Sequence, residues 1–369
     1  MAELRPTADS GPDSLNAICP YWTMFPLSFP LGILANARPG EWVLDPFCGR
    51  GTTLYAARKL GLPAVGIDSN PVASAIAAAK MVAATPDAVA ALAQKLIAGG
   101  DEPRPPEGEF WRWCFAPKVL DALSLLRDGL ATRRDQTAAA LRGVLLGALH
   151  GPRNRGDPSY LSNQMPRTYA TKPTGAVSYW KAHELHPVEV DVVAVIRRHA
   201  ERRYRSVPPR TPGAVHTGDA LALLPRLRRR FSWVITSPPY PGMVTYRPDG
   251  WLRGWLLGGP PAPDYSRDGQ LGAMTGRRFV ARLAAIWEAL ARRCVSDARL
   301  IVRFGALPSV RAGEPEDLLL LSLEASAAWR IVSVKDAGTP ERVGARQVDQ
   351  ALEVGAHVPE VDVMARLLG

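Results

Sequence analysis

Little in this chain is arranged for disulfide, metal or membrane chemistry. Only four cysteines occur in 369 residues, Cys19, Cys48, Cys114 and Cys294. They are scattered and not gathered with histidine at ligand spacing, so neither a disulfide framework nor a zinc site is expected. His183 and His186 lie three apart but have no further ligand nearby, and they read as surface or packing residues. No apolar run approaches the roughly 20 residues that cross a bilayer. The stretch from Met1 to Pro12 is polar and proline-bearing, without the apolar centre of a signal peptide. The expectation is a cytoplasmic protein with no metal and no membrane. Acidic residues are also in short supply, with 45 Lys/Arg against 35 Asp/Glu and a net charge of +10. Such a balance favours a polyanionic partner. An arginine-rich composition can also follow from genomic base content, so the charge by itself does not name nucleic acid.

At 47% apolar content there is material for one large domain or two ordinary ones. After a loose tail to residue 15, the segment from Ile18 to Leu34 is rich in aromatics and prolines, among them Phe25, Pro26, Phe29 and Pro30. It reads either as an element packed over a site or as a hydrophobic lid on the core. Glu41 to Thr53 then reads as strand, glycine loop and helix start, with Thr52 and Thr53 as candidate helix caps. Gly49 and Gly51 allow a ligand to approach the backbone closely. Position 54 is Leu, so the three-glycine dinucleotide fingerprint is incomplete, and no Gly-Lys-Ser/Thr follows. A second strand, Ala64 to Asp68, ends in a carboxylate 23 positions after Asp45, about where a parallel sheet places the acid that binds a ribose.

A helix over Asn70–Ala84 follows, and beyond it the β/α alternation lapses. Helices near 117–130 and 136–149 accompany a proline patch and the pair Trp111 and Trp113. Gly151 to Arg210 holds eleven Lys/Arg against five Asp/Glu. Arg153, Arg155 and Tyr160, then Arg167 and Lys172, mix guanidinium, ammonium and aromatic groups of the kind that grip phosphates and stack on bases. The competing reading is a solvated basic face. Alternation resumes at Ala214–Asp219, where Asp219 is expected at the end of another core strand. Phe231 to Thr236 is a short apolar strand that halts at Ser237, Pro238, Pro239 and Tyr240. Two prolines stiffen that exit and remove its N–H groups, leaving carbonyl and hydroxyl acceptors. The alternative is an ordinary loop. The 40-residue stretch beyond, with Tyr246, Trp251 and Trp255, is long enough to suggest function. A helix from about 277 to 294, strands at 298–304 and 329–334, a helix near 314–328 and a closing strand at 361–367 complete the reading.

Three strand-end acids, one glycine loop and the Ser-Pro-Pro-Tyr exit would gather at the carboxyl edge of one sheet. In these residues the chain resembles the S-adenosylmethionine-dependent amino-methyltransferases of DNA. Asp45-Pro46-Phe47-Cys48-Gly49-Arg50-Gly51 resembles the family's cofactor loop, and Thr236-Ser237-Pro238-Pro239-Tyr240 its catalytic motif in the form typical of cytosine-N4 enzymes. The motif-bearing segments, 20–84 and 211–369, cover a little over half of the chain.

The resemblance implies an α/β fold of the Rossmann-like class I methyltransferase type. Its sheet would be doubly wound and mostly parallel, with an antiparallel closing strand and a helical and loop insertion. Residues 1–84 and 211–369 would form the core, with 85–210 as the basic target-recognition region. Carried over by position, the resemblance implies S-adenosylmethionine held by Phe25, Pro26, the loop from Asp45 through Thr52 and Thr53, Asp68 on the ribose, and Asp219 near the adenine. Ser237, Pro238, Pro239 and Tyr240 would hold the extruded base. Cys48 follows Phe47 rather than proline, so it does not resemble a cytosine-C5 nucleophile. Double-stranded DNA is the implied partner, contacted by Arg153, Arg155, Tyr160, Arg167, Lys172 and Tyr246. A cognate restriction endonuclease and a nucleoid-associated location are compatible with it. Adenine-N6 methylation, RNA base methylation and a non-catalytic nucleic-acid-binding role are the alternatives.

Overall fold

The structure is a computed structural model that describes residues 13–20, 25–151, 159–163, 172–241, 246–266, 270–305, 315–338 and 360–368. The chain separates into two compact units. A sheet unit comprises Trp22–Ala77, Pro209–Tyr246 and Ser266–Gly369, and a helical unit comprises Met1–Tyr21, Ala78–Pro208 and Arg247–Tyr265.

Seven strands form the sheet: β1 (Val43–Asp45), β2 (Ala64–Asp68), β3 (Gly213–Thr217), β4 (Phe231–Thr236), β5 (Cys294–Phe304), β6 (Trp329–Gly338) and β7 (Glu360–Leu367). Their order is β3-β2-β1-β4-β5-β7-β6. The pairs from β3 to β5 are parallel, while β7 runs antiparallel between β5 and β6. This is the Rossmann-like class I methyltransferase arrangement, and the strand at 361–367 does close the sheet antiparallel. Short apolar runs become strands here because both faces are covered: β1 is buried at all three positions and β4 at five of six. Asp219 does follow a strand, but β3 is an edge of the sheet and is nowhere fully buried, not a core strand.

Helices of the sheet unit are α1 (Ser28–Leu34), α2 (Thr52–Lys59), most of α3 (Pro71–Met81), α10 (Ala220–Leu223), α13 (Gly276–Ala291) and α14 (Pro315–Ser326). The third is shorter than the 70–84 expected. In α13, Phe279, Leu283, Ile286, Trp287 and Leu290 recur at helical spacing and are buried. They join Leu44, Val234, Leu300 and Phe304 in one apolar core. Trp287 is satisfied within it: Nε1 donates to Ser322 Oγ at 2.8 Å, and its carbonyl accepts from Trp329 Nε1 at 2.9 Å.

The helical unit contains α4 (Pro86–Ala98), α5 (Glu109–Cys114), α6 (Pro117–Ala131), α7 (Gln136–Ala148), α8 (Pro173–Ala182) and α9 (Val192–Tyr204), followed after the short α11 (Tyr246–Asp249) by α12 (Trp251–Leu256). Proline opens α4, α6 and α8, where its missing N–H costs nothing. Side chains of Thr85, Asp135 and Asp191 cap α4, α7 and α9. Phe110, Trp111, Trp251 and Trp255 form a buried aromatic cluster with centroids 4.6–5.6 Å apart. Part of the long stretch after Tyr240, expected to be functional, is therefore core of the helical unit. The aromatic and proline-rich segment before it divides likewise: Ile18 and Cys19 are buried in the helical unit, while Phe25 to Leu34 belong to the sheet unit.

Close approach in the helical unit depends on the glycines of α7. A Cβ on Gly147 would lie 2.1 Å from the Ile18 carbonyl oxygen, a backbone atom that cannot swing aside. Gly254, on α12, has nothing within 4 Å of the same atom. Gly147→Ala is expected to lower stability by about 1–3 kcal/mol through overpacking. Gly254→Ala should be neutral or stabilising by up to about 1 kcal/mol, since alanine is the better helix former. Urea unfolding of the two variants measures both.

Candidate active site

Strand order reverses between β1 and β4, with β2 and β3 on one side and β5 on the other. Open α/β sheets bind ligands outside the carboxyl ends of the strands at such a reversal. Asp45 ends β1, and Thr236 ends β4 beside it, in the register Val43↔Trp233 and Leu44↔Val234. The Thr236 hydroxyl donates to Asp45 Oδ1 at 2.6 Å, entirely within the buried interior. Thr53, at the start of α2, adds a longer bond from Oγ1 to the Ile235 carbonyl at 3.4 Å. The glycine loop and the Ser-Pro-Pro-Tyr exit are thereby tied together by side chains, and not by the strands alone.

Between β1 and α2 the loop is shaped by its glycines. Gly49 and Gly51 have φ of 49° and 77°, in the left-handed region that only glycine enters without penalty. A Cβ at Gly51 would also lie 2.8 Å from Ala77 Cβ. Gly51, with no side-chain hydrogen bond, stands at the N-cap of α2. Thr52 and Thr53 are thus the first residues of the helix and not the caps expected of them. Both are buried, and Thr52 Oγ1 has no hydrogen-bond partner among the described residues. Gly51 N–H donates to the Cys48 carbonyl, and Cys48 N–H to the Ile67 carbonyl of β2. The thiol of Cys48 is buried and directed to the Gly49 carbonyl, which matches a loop residue and not a nucleophile.

Asp68 reaches into the same loop. Its Oδ2 accepts from Gly49 N–H and its Oδ1 from Asn70 N–H, both at 2.8 Å. Asp45 is 1% exposed, and burial pushes its carboxyl to about 7 against the pull of the Thr236 and Thr53 hydroxyls and the Phe47 N–H, with Asp68 adding a smaller upward push. Asp68 keeps an edge open to solvent, and burial raises it less, to about 6, opposed by the Asn70 and Gly49 amides. Two carboxyls near neutrality beside left-handed glycines and an unsatisfied hydroxyl form a set that can receive a ligand with hydroxyls and a positive centre.

The other expected residues fall into place unevenly. Pro46 is buried and Phe47 packs on the core below the loop. Phe25 and Pro26 are half-buried before α1, with the Phe25 ring edge-on to Phe29 at 5.1 Å. Asp219 caps α10 through Oδ1 to Ala222 N–H and holds Arg282 through Oδ2 at 2.7 Å. It has structural duties besides any ligand, although a carboxylate keeps lone pairs to spare. Ser237 and Pro239 are half-buried and Pro238 is buried at the end of β4. Tyr240 donates its hydroxyl to Glu360 Oε1 at 2.7 Å.

Of the residues expected to meet DNA, Arg153, Arg155 and Arg167 lie outside the described residues, as does the side chain of Tyr246. Lys172 is exposed at the start of α8. Tyr160 packs edge-on against His199 at 5.6 Å, so its ring has an internal partner. His183 and His186 take up ring contacts with Tyr179 and Trp113. Among the described residues no three His, Cys, Asp or Glu side chains gather as a metal site, and no helix is long and apolar enough to cross a membrane.

Sequence reasoning missed Glu360, Arg303 and Asp362, which stand at the same edge. Arg303 pairs with Asp362 through two bonds of 2.8 and 2.7 Å, and its guanidinium lies 3.8 Å from the Phe29 ring centroid. Acids opening the last apolar strand were the available signal, but only the pairing of β7 shows which end of the sheet they reach.

Residues 21–79 match the model of a family described as DNA methylase, covering N6 and N4 types. No curated protein matches the chain. Among solved structures it is similar to the rRNA methyltransferase AviRa from Streptomyces viridochromogenes, at 14% identity over 98% of this chain and 94% of that one, with a TM-score of 0.33. A SAM-dependent methyltransferase from Methanosarcina mazei gives 10% identity over 91% and 96%, with a TM-score of 0.32. Magnesium protoporphyrin IX methyltransferase from Synechocystis with bound SAM gives 11% over 96% and 78%, with a TM-score of 0.33. Likeness this low carries no argument about substrate or cofactor. The stretch that holds the glycine loop, Asp45 and Asp68 is the part of the chain that matches DNA methylases.

Proposed function

We propose that this protein transfers a methyl group from S-adenosylmethionine to the exocyclic N4 of a cytosine extruded from DNA. One observation carries the reading: the buried hydrogen bond from Thr236 to Asp45, which joins the Thr-Ser-Pro-Pro-Tyr exit to a loop of DNA-methylase type. When bound, the cofactor supplies an electrophilic methyl group on a sulfonium centre.

The residues present fit that cofactor. Asp68 would accept from the ribose hydroxyls, Asp219 would stand near the adenine, and the loop from Asp45 to Gly51, with Phe25 and Pro26 before it, would enclose the methionine part. Carboxyls raised by burial gain most from a cationic ligand, because a positive charge offsets the desolvation that lifted them. Ser237 and the Pro238 carbonyl would accept from the two N–H groups of the base. An exocyclic amine is a poor nucleophile because its lone pair is delocalised into the ring. Acceptors on both N–H groups pyramidalise it and aim the lone pair, which is catalysis by positioning and electrostatics. Tyr240 would stack on the flipped base, and Pro239 keeps the exit stiff. The basic segment from Gly151 to Arg210 would contact the phosphates.

Incubating the protein with DNA and labelled S-adenosylmethionine, followed by nucleoside analysis, tests this directly. N4-methylcytosine is the expected product. N6-methyladenine would move the assignment to adenine, and no label in DNA would end it. Ser237→Ala should slow turnover by roughly 10²-fold, the scale of losing one preorganised polar contact, while cofactor affinity measured by calorimetry stays near that of the wild type.

With the carboxyls of Asp45 and Asp68 raised to about 7 and about 6, the free folded chain carries protons there that the unfolded chain releases near 4. Stability from these groups therefore falls as pH rises from about 4 to 7. A cationic ligand that draws out the ionised forms must bind more tightly across the upper part of that window. Cofactor affinity is expected to rise by at least about tenfold between pH 5 and pH 7, the change in the ionised fraction of Asp68 alone, and a flat calorimetric profile would show that these acids do not face the ligand.

Reversing charge at Arg153, Arg155 and Lys172 should weaken DNA binding and flatten its salt dependence. The wild-type affinity is expected to drop by about 10³-fold between 50 and 200 mM salt for about six phosphate contacts. Unchanged affinity and slope in the triple variant would return the segment to a solvated face.

A further inference from the structure

Glu360 belongs to none of the motifs, yet its carboxylate accepts the Tyr240 hydroxyl at 2.7 Å across 120 residues of sequence. The tyrosine ring is held elsewhere as well. Its edge meets Phe304 at 5.3 Å between centroids, with an interplanar angle of 79°. Gly305, just beyond β5, leaves the room in which ring and carboxylate meet: a Cβ there would come within 3.2 Å of both Glu360 Cγ and Tyr240 Cε2. Two residues further along β7, Asp362 grips Arg303 of β5 in a bidentate pair. A planar, two-bond ion pair fixes geometry better than a single contact. The strand that carries Glu360 is therefore anchored next to the site, and the carboxylate is a fixed point.

From this constellation we infer that Glu360 is a positioning residue that fixes where the Tyr240 ring points, while the Phe304 contact holds its plane, for stacking on the target base. The inference rests on the methyl-transfer reading above. Stacking requires the ring to lie parallel to the base, whereas a tyrosine on a loop is free to turn about two torsions. Locking the hydroxyl end lowers the ordering cost that base binding would otherwise incur. A hydrogen bond from a phenol to a carboxylate is also shorter and stronger than one to water. Gly305 has a role of its own: a Cβ there would press on both groups at 3.2 Å, and each would have to give by a few tenths of an ångström.

Single-turnover methylation and the KM for DNA, with cofactor affinity and thermal unfolding as companions, test the role in Glu360→Ala, Glu360→Gln, Tyr240→Phe and the double variant Tyr240→Phe/Glu360→Ala. Glu360→Ala and Tyr240→Phe should each cost about tenfold in transfer rate or KM for DNA with cofactor affinity unchanged. The double variant should be no worse than the poorer single one, since both delete the same bond. Glu360→Gln should recover most of the loss, because its amide oxygen still accepts. Effects that multiply in the double variant, or wild-type kinetics in Glu360→Ala, would overturn the assignment. So would a loss that tracks a fall in melting temperature and cofactor affinity. A wild-type protein that methylates DNA while Glu360→Ala does so equally well removes only this inference. A wild-type protein that transfers nothing to DNA removes the reading on which it stands.

Discussion

A single buried hydrogen bond, Thr236 to Asp45 at 2.6 Å, sets most of what lies around it. It spans the two strands where the sheet reverses its winding, and it lies where no water can substitute for either partner. A desolvated carboxyl needs donors, and the donors available are the Thr236 and Thr53 hydroxyls and the Phe47 N–H. Each comes from a different part of the edge: the end of β4, the start of α2 and the loop between. Satisfying Asp45 therefore fixes the loop, the helix and the Ser-Pro-Pro-Tyr exit together. An orphaned acid at that depth would cost several times what a surface pair returns.

The electrostatics follow from the same packing. Asp45 and Asp68 are stabilised by hydroxyls and amides, which leaves both carboxyls raised toward neutrality by burial. Such a site disfavours further negative charge, and this agrees with a sulfonium cofactor better than with a polyphosphate. Asp219, just beyond the edge strand β3, is engaged with Arg282 and with the first turn of α10.

Much of this was legible from residue order. The spacing of Asp45, Asp68 and Phe231–Tyr240 placed three strand ends on one edge, because βα alternation admits few other topologies. The helices expected near 117–130 and 136–149 are present as α6 and α7. Legibility failed where a side chain's partner is distant in sequence. Tyr160 reads as a free aromatic until it is found against His199. Trp251 reads as part of a functional loop until Trp111 and Phe110 close around it. In each case local chemistry allowed two roles and long-range packing selected one.

The sequence by itself determined the strands of the sheet unit and most of its helices, the order of its strand ends and the acceptor-rich character of the Ser-Pro-Pro-Tyr exit, since these depend on local periodicity, on proline's missing N–H and on glycine's freedom at positive φ. Only the tertiary structure decided which strand lies at the edge, which hydroxyl satisfies Asp45, and that the last strand delivers Glu360 to Tyr240. Strand pairing is a long-range choice made by burial, and an antiparallel insertion such as β7 reverses which end of a segment reaches the site without leaving any trace in the segment's own residues.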